Sequence, residues 1–168
     1  LNACALLRNR GIDFTCSFAG AWFDIKQSTF QETVLQLKLE HYVEYLGTTY
    51  GEAKDQLLQQ HDVFVFPTYY RHECFPLVIL EAMQYALPVI STHEGAIPEI
   101  IEHRINGLLV QEPTPAHIAN QMELLALDAG LRQRLGQSAR QKVEKLYSLA
   151  VFEQRILAIL QQSFLPNK

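Results

Sequence analysis

The chain has little of several things, and each scarcity excludes a class of protein. No apolar run approaches the length needed to cross a bilayer as a helix, and no signal-peptide pattern is visible. Charge is sparse and nearly balanced. Charged residues make up 19% of 168 positions, with a formal net charge of −4, which leaves no basic footprint for nucleic acid. Cysteine is limited to Cys4, Cys16 and Cys74, which form no metal-type pair and cannot all be disulfide-bonded within one chain. A reducing, cytoplasmic setting is the expectation. There is no Asp-x-Asp pair, no internal repeat and no low-complexity tract. What is present is ordinary: 48% apolar residues, enough for one domain with a real core. The chain opens at Leu1 inside a helical pattern, so it reads as a piece of a longer protein.

Short strands alternate with helices. Leu1 to Asn9 reads as a helix stopped by Gly11, and Phe14 to Ala19 as a strand ending at Gly20. Gln27 to Glu40 is an amphipathic helix with Phe30, Val34 and Leu37 on one stripe. A strand at Tyr42 to Leu46 ends at Gly47, and a helix follows from Gly51 to Gln60. Then come a strand at Val63 to Phe66, a helix through Leu77 to Ala86, and a strand at Pro88 to Ser91. Ile97 to Glu102 is a short helix and Gly107 to Val110 a last strand. The remainder is helical, over Pro115 to Leu127, Leu131 to Tyr147 and Leu149 to Phe164, with Leu124, Leu127, Leu131 and Leu135 as a core stripe. The final helix, with Val151, Phe152, Ile156 and Leu160, packs either on this domain or on another.

This alternation predicts an α/β fold: a Rossmann-like, doubly wound parallel sheet flanked by helices, with a helical C-terminal tail. Ligands in such folds bind outside the carboxyl ends of the strands. The segments leaving at Gly20, Gly47, Pro67 and Thr92 to Gly95 therefore share one rim.

The most informative stretch lies on that rim: Glu73-Cys-Phe-Pro-Leu-Val-Ile-Leu-Glu81. It follows the buried strand His61-Asp-Val-Phe-Val-Phe-Pro67. Pro76 suits the first turn of a helix, where a missing N–H costs nothing. Glu73 then stands just ahead of a helix N-terminus and Glu81 more than a turn inside it. Free N–H groups and a partial positive charge at that terminus make a seat for phosphate. A carboxylate on either side can grip hydroxyl groups of a phosphorylated ligand.

Five ordered segments carry a resemblance. Asp62-Val-Phe-Val-Phe-Pro, the Glu73–Glu81 stretch running on into Ala82-Met83, Leu87-Pro-Val-Ile-Ser, Gly95-Ala-Ile-Pro-Glu and Asn106-Gly-Leu-Leu-Val resemble the group 1 (family 4) glycosyltransferases in order and spacing. Leu131-Arg-Gln-Arg-Leu-Gly136 and the helix after Tyr147-Ser148 resemble that family's tail. The likeness covers essentially the whole chain. It implies that residues 1–168 are a single nucleotide-sugar-binding lobe, the C-terminal lobe of a two-lobed GT-B fold. It also implies a metal-independent, retaining hexosyltransferase of bacterial type, building a polysaccharide or glycolipid. No cofactor is expected. The partners are a nucleotide-sugar donor and a carbohydrate or lipid-linked acceptor held by another, N-terminal lobe. Membrane association would come from that lobe.

By the same likeness Glu73 faces the transferred sugar as the catalytic carboxylate, and Glu81 binds ribose hydroxyls. Backbone N–H groups around Cys74, Phe75, Leu77 and Val78 meet sugar and diphosphate. Gly20 lies near the nucleotide, Thr48 and Tyr50 in the wall around the base, and Gly95 beside the same cleft. Arg71, His72 and His93 are secondary candidates, with Tyr69, Tyr70 and Glu99 behind them. The family commonly has glycine where Cys74 and Pro76 stand, and Pro76 has no N–H to offer. The family's first strand, which is central to the doubly wound order and leads into a basic loop, has no counterpart here, so the sheet should show a gap with exposed inner edges. The fragment alone is expected not to turn over.

Blander readings exist for each residue. A helix glutamate is commonly a solvated surface group, a glutamate ahead of a helix can serve only the helix dipole, and loop histidines and rim aromatics are often incidental. Cys74 reads as a small residue in a tight turn. A different class also remains open: a nucleotide-sugar-binding or interaction module without catalysis.

Overall fold

A computed structural model describes residues 1–70 and 72–164. Among the described residues helices and strands alternate as far as β5 and three helices follow: α1 (Asn2–Asn9), β1 (Cys16–Ala19), α2 (Gln27–Gln36), β2 (Val43–Gly47), α3 (Gly51–Gln60), β3 (Phe64–Phe66), α4 (Leu77–Gln84), β4 (Val89–Ser91), α5 (Ile97–Ile100), β5 (Gly107–Leu109), α6 (Pro115–Leu127), α7 (Ala129–Leu146) and α8 (Leu149–Phe164).

All strand pairing is parallel, in two sheets. β1 pairs with β2, and β4 lies between β3 and β5. Among the described residues, neither the free edge of β1 nor that of β3 carries a further strand. The division into two sheets agrees with the expected gap, and no strand joins them among the described residues.

The three-stranded sheet is buried on both faces, which is why its strands read as unbroken apolar runs. Val89 and Ile90 are wholly buried on opposite sides. Val89 packs with Ile79, Met83, Ile97, Ile100 and Val143, and Ile90 with Leu7, Leu108, Ile118, Leu125 and Leu135. Residues Ala3 and Leu7 of α1 join the second of these groups, while Cys4 and Ala5 pack with Leu39 near Cys16 and Val43. One helix thus staples the two sheets together. All three cysteines are free thiols.

Several boundaries differ from the sequence expectation. α2 stops at Gln36 because Lys38 turns left-handed (φ 52°) and Leu39 N–H donates back to the Val34 carbonyl at 2.9 Å. The Arg8 guanidinium closes that turn by donating to the carbonyls of Leu37 and Lys38. α7 begins two residues early, at Ala129, where the Asp128 carboxylate caps Leu131 N–H at 2.8 Å. Pro76 is the residue flanking α4 and lies outside its first turn. Leu127 does not belong to the core stripe: at the last turn of α6 it is 71% exposed, while Leu135 is buried. Along α8 the apolar residues Leu149, Phe152, Ile156, Leu157, Ile159 and Leu160 are exposed, so that helix covers little of this domain.

Candidate active site

The loop from β3 to α4 is held from three sides. Where the ladder between β3 and β4 ends, two buried hydroxyls extend it: Ser91 Oγ donates to the Phe66 carbonyl at 2.7 Å and Thr92 Oγ1 to the Thr68 carbonyl at 2.6 Å. Glu73 N–H donates to the Tyr70 carbonyl at 2.9 Å, closing a turn just before the helix. From the β4–α5 side, Ala96 N–H donates to the Cys74 carbonyl at 2.9 Å. Beside it, Gly95 has φ 52° and its Cα approaches the Glu73 carbonyl so closely that a Cβ would overlap it. Only glycine meets both demands.

α4 then starts at Leu77 with no side-chain cap, so the N–H groups of Leu77 and Val78 precede its hydrogen-bond ladder. The first described bond there runs from Ile79 N–H to the Pro76 carbonyl at 3.1 Å. The helix is fixed by its buried face, Ile79, Leu80, Ala82 and Met83, each worth roughly 1–3 kcal/mol of burial. Glu73 is half-buried, and its carboxylate has no hydrogen-bond partner among the described residues. Glu81, also half-buried, has one: its Oε1 accepts from Lys54 Nζ at 2.6 Å. One turn on, Tyr85 lies beside Asp55 of α3, and that carboxylate pushes the phenol's pKa up. The site thus has an open helix N-terminus with one carboxylate before it and another inside it. An anionic ligand bearing hydroxyl groups suits that arrangement.

The other side of the rim is formed by β1 and β2. Gly20 N–H donates to the Gly47 carbonyl at 2.8 Å, and Tyr45 OH to the Gly20 carbonyl at 2.5 Å. Thr48 and Tyr50 follow, both exposed, with Tyr50 flanking the start of α3. The structure therefore brings Glu73, Cys74 and Gly95 into contact, and separately Gly20 with Gly47. α3, which begins beside Tyr50, touches Glu81 through Lys54.

Other candidates point elsewhere. The Phe75 ring stands 5.8 Å from Tyr147 at the end of α7. His93 Nδ1 lies 3.2 Å from the Val110 carbonyl, past the end of β5. His72 is exposed, with its ring edge-on to Tyr70 at 5.5 Å, and Cys74 Sγ lies 3.6 Å from the His72 carbonyl. Tyr69 is exposed. The backbone carbonyl of Glu99 is taken by Lys142 Nζ at 2.8 Å, which reads as support for α5. Arg71 lies outside the described residues. Lys54 carried no sequence signal, since its partner is 27 positions away.

The family described as glycosyl transferases group 1 matches residues 1–142. The chain belongs to the group 1 glycosyltransferases. An uncharacterized glycosyltransferase of Methanocaldococcus jannaschii is 34% identical over 118 residues, which is 70% of this chain and 30% of that protein. The amylovoran biosynthesis glycosyltransferase AmsK of Erwinia amylovora is 25% identical over 166 residues, 96% of this chain and 40% of that one. Among solved structures, the Anabaena protein HepE in complex with UDP-glucose superposes with a TM-score of 0.77 at 19% identity, covering 96% of this chain and 52% of that one. The group 1 chain thus spans well under two thirds of these relatives. Its fold is that of GT-B glycosyltransferase domains. Among the described residues no helix is long and apolar enough to cross a membrane, and no group of three or more His, Cys, Asp or Glu side chains is gathered for a metal ion.

Proposed function

We propose that this chain is the donor-binding lobe of a retaining, metal-independent hexosyltransferase that uses a nucleotide-sugar and serves polysaccharide or glycolipid synthesis. The observation that carries the reading is the uncapped N-terminus of α4 between Glu73 and Glu81, with the Glu73 loop pinned by Gly95. The AmsK likeness supports the polysaccharide class, and the HepE likeness supports a UDP-linked hexose.

In this reading Glu81 accepts from the ribose hydroxyls and the diphosphate sits before Leu77 and Val78. As the glycosidic bond breaks, negative charge gathers on the departing diphosphate and positive charge on the ring. The fixed N–H groups and the helix dipole stabilise the first, and Glu73 the second. Removing one such contact costs on the order of a hundredfold in rate. Turnover belongs to the two-lobed protein; this chain alone binds and does not turn over. Cys74, Phe75, Gly20, Thr48 and Tyr50 contribute backbone and wall contacts, and Arg71, His72 and His93 are secondary.

Calorimetry with UDP, GDP and ADP tests the reading. One base class binds the wild-type chain without added metal, undiminished by EDTA, and Glu81→Ala weakens it about tenfold or more. Failure of all three nucleotides to bind the folded chain overturns it.

A further inference from the structure

One contact at the site belongs to no part of the donor reading so far. Lys54, a turn into α3, places Nζ 2.6 Å from Glu81 Oε1. The pair is partly shielded, with side chains 29% and 37% exposed, so salt screens it less than a fully solvated pair. It is also not isolated. Asp55, next to Lys54, meets Tyr85, one turn beyond Glu81. α3 and α4 are therefore held together by the Lys54–Glu81 pair, with Asp55 and Tyr85 facing each other one turn on. α3 starts beside Tyr50, on the side of the rim assigned to the base.

We propose that Lys54 is a positioning residue of the donor site, holding one oxygen of the Glu81 carboxylate so that the other is left to accept from the ribose hydroxyls. This rests on the donor-site reading above. Oε2 of Glu81 accepts no hydrogen bond from any described residue, which is what a carboxylate reserved for a ligand requires. A glutamate without the lysine would rotate freely among its rotamers and lose part of its binding energy in being ordered. With the lysine, the ordering precedes the ligand. Lys54 acts only through Glu81, and it couples the ribose grip to the helix that carries the base wall.

The test compares UDP, GDP and ADP with their 2′-deoxy counterparts on the wild-type chain and on Lys54→Met, Lys54→Gln and Lys54→Arg. Melting without nucleotide identifies the variants that fold. The wild type prefers the ribonucleotide. Lys54→Met and Lys54→Gln lose that preference along with about tenfold in affinity, and Lys54→Arg restores both. Unchanged affinity and an unchanged ribo-to-deoxy ratio in both uncharged variants overturn the proposal. Equal weakening of ribo and deoxy forms overturns it too, because Lys54 would then touch the diphosphate or the base directly. No binding by the wild type to any of the three ribonucleotides is a different result: it removes the donor-site reading itself.

Discussion

Gly95 leaves no room for a side chain against Glu73. Its left-handed backbone and the Glu73 carbonyl beside it together exclude even a methyl group. Gly95→Ala therefore pushes the Glu73–Cys74 loop away from the start of α4. The variant should lose about 2 kcal/mol or more of stability, measured by urea unfolding, and lose nucleotide affinity with it. Unchanged stability would show that the two loops part without cost.

Ala86 is the opposite case. It ends α4 with φ 56°, its N–H donating to Met83 and that of Leu87 to Ala82, a left-handed helix stop built on a residue with a Cβ. Ala86→Gly relieves the clash and pays back some unfolded-state entropy. The expected net gain is roughly 0.5–1 kcal/mol, read from the urea midpoint.

Asn106 is buried, and both ends of its amide are used. Oδ1 accepts from Glu102 N–H at 2.7 Å and Nδ2 donates to the Ile100 carbonyl at 3.0 Å, fastening the turn between α5 and β5. Asn106→Ala strands both backbone groups and should cost about 2–4 kcal/mol. Thermal unfolding measures it.

His103 predicts the sign of one pH effect. Partial desolvation of its ring, then the charges of Arg104 and His93, lowers its pKa, and Nδ1 accepts from Leu109 N–H at 3.0 Å, a bond that protonation removes. As pH falls below the ordinary value of 6.5, the unfolded chain takes up the proton before the folded one. This contribution is thus complete above that value and is lost on acidification through the folded pKa. Between about pH 7.5 and 5.5 the wild type should lose more stability than His103→Gln. Equal losses would remove His103 from the account.

Much of the fold was legible because its signals are local. Strands end at Gly20, Gly47 and Pro67, and the Glu73–Glu81 junction announces a loop feeding a helix. The left-handed turn at Lys38 is set by Leu39 seeking burial and by Arg8 reaching across from α1, which no periodicity in α2 records. Leu127 continues the leucine spacing of its helix, yet the chain turns at Asp128 before that face meets a partner. The grip of Gly95 on Glu73 and the Lys54–Glu81 pair are contacts between distant segments, and pattern along one segment carries nothing about them.

The two sheets differ in local stability along the rim. β4 is paired on both sides and wholly buried, so its amide protons should exchange with solvent last, opening only when the domain unfolds. Among the described residues β1 and β2 pair only with each other, beside the staple of α1, and should exchange sooner. The Glu73 loop and Glu81 are anchored to the slow-exchanging sheet, and Gly20, Gly47 and Thr48 to the faster one. A transient opening can then loosen the Gly20–Gly47 side of the rim while the side built on β3, β4 and β5 keeps its shape.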